Sequence, residues 1–196
     1  DDVAFLSGGE VVDSGSLTWV LVASALVLFM TPGLAFFYGG MVRAKNVLNM
    51  LMMSFWCMLV VPLLWVVVGY SLSFGGTGRF IGDFSRVGLR GLSFTAPGDL
   101  PELAAMIFLA TFATITPALI SGAVADRMKF AAWALFVPLW SILVYAPVTY
   151  WVAAPNGWLK ARGSLDFAGG TSIHVNAGIA ALAAVLVLGK RRGWPQ

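Results

Sequence analysis

Along this chain, long apolar runs alternate with short polar breaks. Five runs reach the roughly 20 residues that a helix needs to cross a bilayer core. They cover about 17–42, 47–74, 103–124, 130–152 and 167–188. The first is interrupted by Thr31-Pro32-Gly33. There the missing proline donor and the ring clash predict a kink or a loosened turn. The pattern predicts an all-α fold: a polytopic transmembrane helix bundle of five spans, one transmembrane domain over residues 1–196. No internal repeat is visible across the five runs.

The polar breaks predict an orientation. The short breaks after runs one, three and five hold Arg43, Lys45, Arg127, Lys129, Lys190, Arg191 and Arg192, seven of the twelve Lys and Arg. The longer breaks on the other side mix Arg79, Arg86, Arg90, Lys160 and Arg162 with Asp83, Asp99, Glu102 and Asp166. The positive-inside rule then puts the N-terminus outside and the C-terminus in the cytoplasm of the cell (plasma or inner) membrane. The acidic, Gly- and Ser-containing start DDVAFLSGGE reads as a short external segment. The Gly-rich stretch 75–101 is either a solvated connector or part of a vestibule. Trp151 and Trp158 suit an aromatic belt at the outer interface.

Composition narrows the function classes. The chain is 59% hydrophobic and 11% charged, with a mean hydropathy of +0.87. A soluble domain of this size needs more polar surface, so the solvent over most of the molecule is lipid. The net charge of +3 is spread over short clusters, without the basic stripe that nucleic-acid binding requires. Cys57 is the only cysteine, which excludes an intrachain disulfide and a cysteine-pair metal site. It reads as a small buried hydrophobe. One histidine cannot build a multi-histidine metal site. No metalloprotease, nucleophile-elbow, P-loop or dinucleotide motif is present, so no enzyme activity and no cofactor are predicted.

What remains is a small set of polar and aromatic residues at membrane depth. His174 lies inside GGTSIHVNAGIAALAAVLVL, residues 169–188. A titratable ring in that position marks an ion or proton pathway, unless it is a structural histidine bonded to a neighbouring helix. It is expected to be buried, where a neutral imidazole offers one donor and one acceptor. Asp166 stands where the run begins, about 12 Å back along the axis at 1.5 Å per residue. It can cap the helix, and its charge can favour a cation at an entrance; the two roles are compatible. Phe108 and Phe112 are four apart and share a helix face. They are either packing or a plug of stacked rings that keeps water and hydrated ions out of a pore. Gly33, Gly39 and Gly40 predict close helix approach. The set points to a conduit for a cation or a proton.

Three stretches go further. MTPGLAFFYGGMVRAKNVLNMLMMSF (30–55), FATITPALISGAVADRMKF (112–130) and LDFAGGTSIHVNAGIAALAAVLVLGKRRG (165–193) resemble the ammonium transporter family, the Amt/Mep/Rh superfamily. The resemblance runs over essentially the whole chain. It implies the first five of eleven helices, the N-terminal half of an inverted-repeat ammonium transporter fold. It implies a membrane channel for nitrogen uptake, with ammonium and ammonia as substrate. NH4+ is deprotonated near the outer mouth and NH3 passes a hydrophobic pore past Phe108, Phe112 and His174. By resemblance, the two phenylalanines close the pore from outside and His174 is the first of two pore histidines. Asp166 is the aspartate near the recruitment site, in a largely structural role. A homotrimer and a cytoplasmic regulatory or signalling partner are also implied.

Ala153 departs from the family, which has a vestibule tryptophan at that position. A cation–π wall worth about 1–2 kcal/mol when desolvated is therefore missing. The second pore histidine and the vestibule serine belong to the other half, so these five helices alone do not enclose the pore. Two alternatives stay open: an ammonium-sensing receptor domain that binds without conducting, and a fragment that does not conduct.

Overall fold

A computed structural model describes residues 13–93 and 100–191. The external segment read at 1–10, together with Asp99 and Arg192, lies outside the described residues. Among the described residues there are no strands. Five helices are long and apolar enough to cross a membrane: α1 Ser14–Gly39, α2 Ala44–Phe74, α3 Glu102–Val124, α4 Phe130–Ala153 and α5 Gly170–Leu188. Each begins and ends within one turn of the corresponding apolar run. The chain is an all-helical, multi-pass membrane bundle. Its surface carries apolar side chains such as Leu26, Phe29, Leu59, Leu63, Leu135 and Leu143, as a lipid solvent allows.

Local chemistry explains the helix ends. Asp13 caps α1, accepting from the backbone N–H of Gly15 and Ser16, each at 3.1 Å. The loosened turn expected at Thr31-Pro32-Gly33 does not occur, and α1 stays α-helical through Pro32. In lipid, every backbone bond opened would go unreplaced by water, so the helix keeps the ones proline leaves it. Loosening shows elsewhere. α2 and α4 each widen to an i→i+5 turn three residues after a proline, at Trp65–Gly69 after Pro62 and at Ser141–Tyr145 after Pro138.

α3 is the centre of the bundle. It packs against α1, α2 and α5, while α2 also packs against α1 and α4. The approach of α1 to α3 needs Gly122, where a Cβ would fall 2.8 Å from the Tyr38 ring. The Tyr38 hydroxyl donates to the Leu119 carbonyl at 3.2 Å. Between α2 and α4, Met50, Met53, Cys57 and Val61 meet Trp133 and Val137, all buried. The indole N–H groups find carbonyls: Trp133 donates to Met53 at 2.9 Å and Trp65 to Met106 at 3.3 Å. Of the three glycines expected at helix contacts, Gly39 does meet α2, through Val47 and Leu51. Gly33 has open space where a side chain would start, and Gly40 meets only carbonyls of α1. Among the described residues, no partner helix covers their face of α1.

The two ends are tied differently. At one end Asp126, in a left-handed conformation, has a side chain 7% exposed. It accepts from the Asn46 amide and pairs with Arg43 at 3.7 Å and Arg191 at 3.3 Å. This joins the α1–α2 turn, the α3–α4 turn and the end of α5. At the other end, Tyr150 donates to Gly78 at 2.5 Å, Trp151 to Phe80 at 2.6 Å, and the Trp158 backbone to Arg79 at 3.0 Å. Trp151 and Trp158 meet edge to face at 5.9 Å, with the Arg162 guanidinium 4.8 Å above the Trp158 ring. Beyond the belt role expected of them, these tryptophans clamp the loop after α2 onto the end of α4. Arg86 forms an ion pair with Glu102 and so ties that loop to the start of α3.

Candidate functional site

α5 begins with a wide turn, and Asp166 holds it. Its carboxylate accepts from the backbone N–H of Ser172 at 2.9 Å and Thr171 at 3.2 Å. The N–H groups of Ile173 and His174 both donate to the Gly169 carbonyl, at 3.0 and 3.1 Å. Gly169 has φ +76°, and a Cβ there would lie 2.3 Å from the Ile173 side chain, so only glycine fits. Partial burial pushes the Asp166 carboxyl up. The Ser172, Thr171 and Gly170 bonds outweigh it and hold the group below its ordinary 3.8. Asp166 is thus a capping residue that keeps its charge.

On α3, the rings of Phe108 and Phe112 lie 4.9 Å apart at 88°. They are half-buried and meet edge to face, not stacked as expected. The ring quadrupoles favour that arrangement over a face-to-face sandwich.

A cavity of about 310 Å³ joins these pieces. Phe108, Phe112, Asp166, Ala153, Thr149 and Tyr145 all line it. Three of the four residues singled out from the sequence therefore share one pocket at the loop end of the bundle, with Ala153 exposed in it. His174 does not line it; its neighbour Ile173 does. The burial expected for His174 is also not found, and its side chain is exposed. Val175, Ile179, Leu182, Leu186 and Val187 are exposed along the same helix. Five helices leave that side of α5 uncovered, so a residue at membrane depth is not a buried one here. Among the described residues no group of His, Cys, Asp and Glu could hold a metal ion.

Tyr145 and Thr149 are among the lining residues that escaped the reading of the sequence. They precede Ala153 by eight and four positions, so the three share a face of α4. That spacing was the available signal. It was masked because span four carries aromatic and hydroxyl residues on several faces.

The model of the Ammonium Transporter Family matches residues 18–196. The chain is similar to an ammonium transporter of Mycobacterium tuberculosis, with 50% identity over 212 aligned residues, covering 94% of this chain and 44% of that protein. It is similar to the crystal structure of Candida albicans Mep2, with a TM-score of 0.83 and 35% identity over 91% of this chain and 40% of that one. It is also similar to a solved structure described as a sensor Amt protein, with a TM-score of 0.80 and 25% identity over 89% of this chain and 44% of that one. The chain spans less than half the length of these relatives.

Proposed function

We propose, because the chain belongs to the ammonium transporter family, that it forms the N-terminal half of an ammonium- and ammonia-conducting pore. The observation that carries this reading is the pocket in which a charged Asp166 stands beside the Phe108–Phe112 pair. The carboxylate favours a cation at the mouth. The edge-to-face rings present an apolar constriction that a hydrated ion does not pass. NH4+ sheds its water and gives up one proton, leaving NH3, which is small and neutral enough to slip past. K+ has no proton to give, so it is rejected. Beyond the rings, the His174 imidazole offers one donor and one acceptor to NH3. It also relays the released proton together with a partner on the other half.

In this reading α1 to α5 form one transmembrane domain, with the pocket and the N-terminus outside the cell and the C-terminus in the cytoplasm. Arg43, Lys45, Arg127, Lys129, Lys190 and Arg191 then lie on the inner side. The remainder of the longer protein covers the open side of α5 and completes the conduit, and three copies assemble. A cytoplasmic regulatory or signalling protein is the natural partner for the inner face. No step calls for a cofactor, a metal or enzymatic chemistry.

The test is methylammonium flux through liposomes containing the complete protein, wild type against His174→Ala. A changed conductance or ion selectivity is expected. Unchanged values for both would remove His174 from the mechanism. The second reading is an ammonium receptor. The likeness to a protein described as a sensor, and Ala153 in place of the vestibule tryptophan, favour it. Ammonium binding with no flux in the same liposomes would establish it.

A further inference from the structure

The cavity is larger and more aromatic than bare ammonium requires. A water molecule takes about 30 Å³ of liquid, and ammonium is about as large. One such ion leaves most of the 310 Å³ unfilled. Three phenylalanines line the space, Phe108, Phe112 and Phe167, together with the apolar Leu109 and Ile173. They are open to a ligand: Phe108 and Phe112 are half-buried, and Phe167 is fully exposed at the rim. Ala153, also exposed, takes up little of the mouth. Tyr145 and Thr149 are buried and close the back. Asp166 is the one charged residue of the lining. Its oxygens are engaged by the backbone N–H groups of Thr171 and Ser172. It therefore acts on a ligand through its charge more than through a free lone pair.

We propose that this pocket binds methylated ammonium ions, with the cation against the phenylalanine rings, its methyl groups on the apolar wall and Asp166 balancing its charge. The proposal rests on the reading of this pocket as the cation entrance. A ring quadrupole attracts a cation placed over its face within about 6 Å of the centroid, and quaternary ammonium ions are the ligands best suited to such walls. Methyl groups replace N–H donors, so the ion asks for fewer acceptors than the engaged carboxylate would have to supply. They also weaken hydration, so less water is stripped on entry. Each methyl buried against the wall is worth about fourfold in affinity. Tetramethylammonium has no N–H proton to surrender. It therefore occupies the mouth without following NH3 past the rings, and acts as a blocker.

The experiment uses the complete protein, in detergent for binding and in liposomes for flux. Affinity is expected to rise from methylammonium through dimethylammonium to trimethylammonium, by up to about fourfold per methyl group. Tetramethylammonium is expected to inhibit methylammonium flux competitively. The neutral tert-butanol, of similar shape, should be weaker by about tenfold or more. Phe167→Leu keeps an apolar side chain and removes the ring. It is expected to weaken tetramethylammonium binding about fivefold and to leave tert-butanol unchanged. Affinity that stays flat or falls along the methyl series would overturn the proposal. Equal inhibition by tert-butanol would reduce the pocket to an apolar cleft and overturn it as well. Either result with ammonium flux intact leaves the pore reading standing. Tetramethylammonium binding to a protein that conducts no ammonium would uphold the pocket and sink the pore.

Discussion

α3 and α5 each carry part of the candidate conduit, but they sit in opposite environments. α3 is the most enclosed of the five helices, with Ala113, Thr114, Thr116, Ala118, Ile120 and Ser121 all buried. On α5, between Asn176 and Leu188, only Asn176 and Ala177 are buried. Phe108 and Phe112 are therefore set by packing within this chain, whereas His174 stands on a side that this chain leaves open. One wall of the proposed pore is complete here, and the other awaits a surface from elsewhere. A helix can be equally apolar by sequence in both situations. What differs is whether its neighbours belong to the same chain.

The contrast can be broken most sharply with two glycines. Gly122 on α3 faces the Tyr38 ring, and Gly178 on α5 faces open space. Gly122→Val is expected to destabilise the bundle by about 1–3 kcal/mol through overpacking. Gly178→Val is expected to leave the stability of this chain unchanged and, on the pore reading proposed above, to impair assembly of the complete conduit. Thermal inactivation in detergent, run on the chain and on the complete protein, checks both. Equal losses for the two variants in the isolated chain would abolish the distinction.

Gly169→Ala comes next, since it forces a side chain into a left-handed conformation, at about 1–2 kcal/mol, and against Ile173. It should unseat the wide first turn of α5 while leaving α3 untouched, which hydrogen exchange of the Ile173 and His174 amides would report. A smaller effect, about 1 kcal/mol, is expected for Asp166→Ala from loss of the cap. The pH dependence of that term has a definite sign. The folded-state value of Asp166 lies below 3.8, so its contribution is complete above the unfolded value. It is lost as pH falls through the lower folded value. The stability difference between wild type and Asp166→Asn should be flat from about pH 5 to 8 and shrink below about pH 4. A step near neutral pH would contradict the capped, charged carboxylate described here.

His174→Ala should have the smallest effect on the isolated chain, within about 0.5 kcal/mol, because the residue is exposed there. If this substitution instead strongly destabilises the five-helix chain, α5 is not open where His174 stands.

Much of this was legible in the residues. The five runs follow from the length that a bilayer demands, and each one is a helix. The role of Asp166 as a cap follows from its place before Phe-Ala-Gly-Gly. The closeness of Phe108 and Phe112 follows from their spacing of four. A loosened turn at Thr31-Pro32-Gly33 did not follow, because proline statistics from water overstate how readily a helix opens in lipid. Nor did the exposure of His174, since an apolar run has the same composition whether lipid, this chain or another surface covers it.

Helix number, apolar length and the charge of the intervening turns are local properties, and the order of the residues determined them unaided. The meeting of Phe108, Phe112, Asp166 and Ala153 around one cavity and the open side of α5 were decided only in three dimensions. They depend on which faces of distant helices come together, and that is settled by packing such as the Tyr38–Gly122 contact rather than by any pattern within one helix.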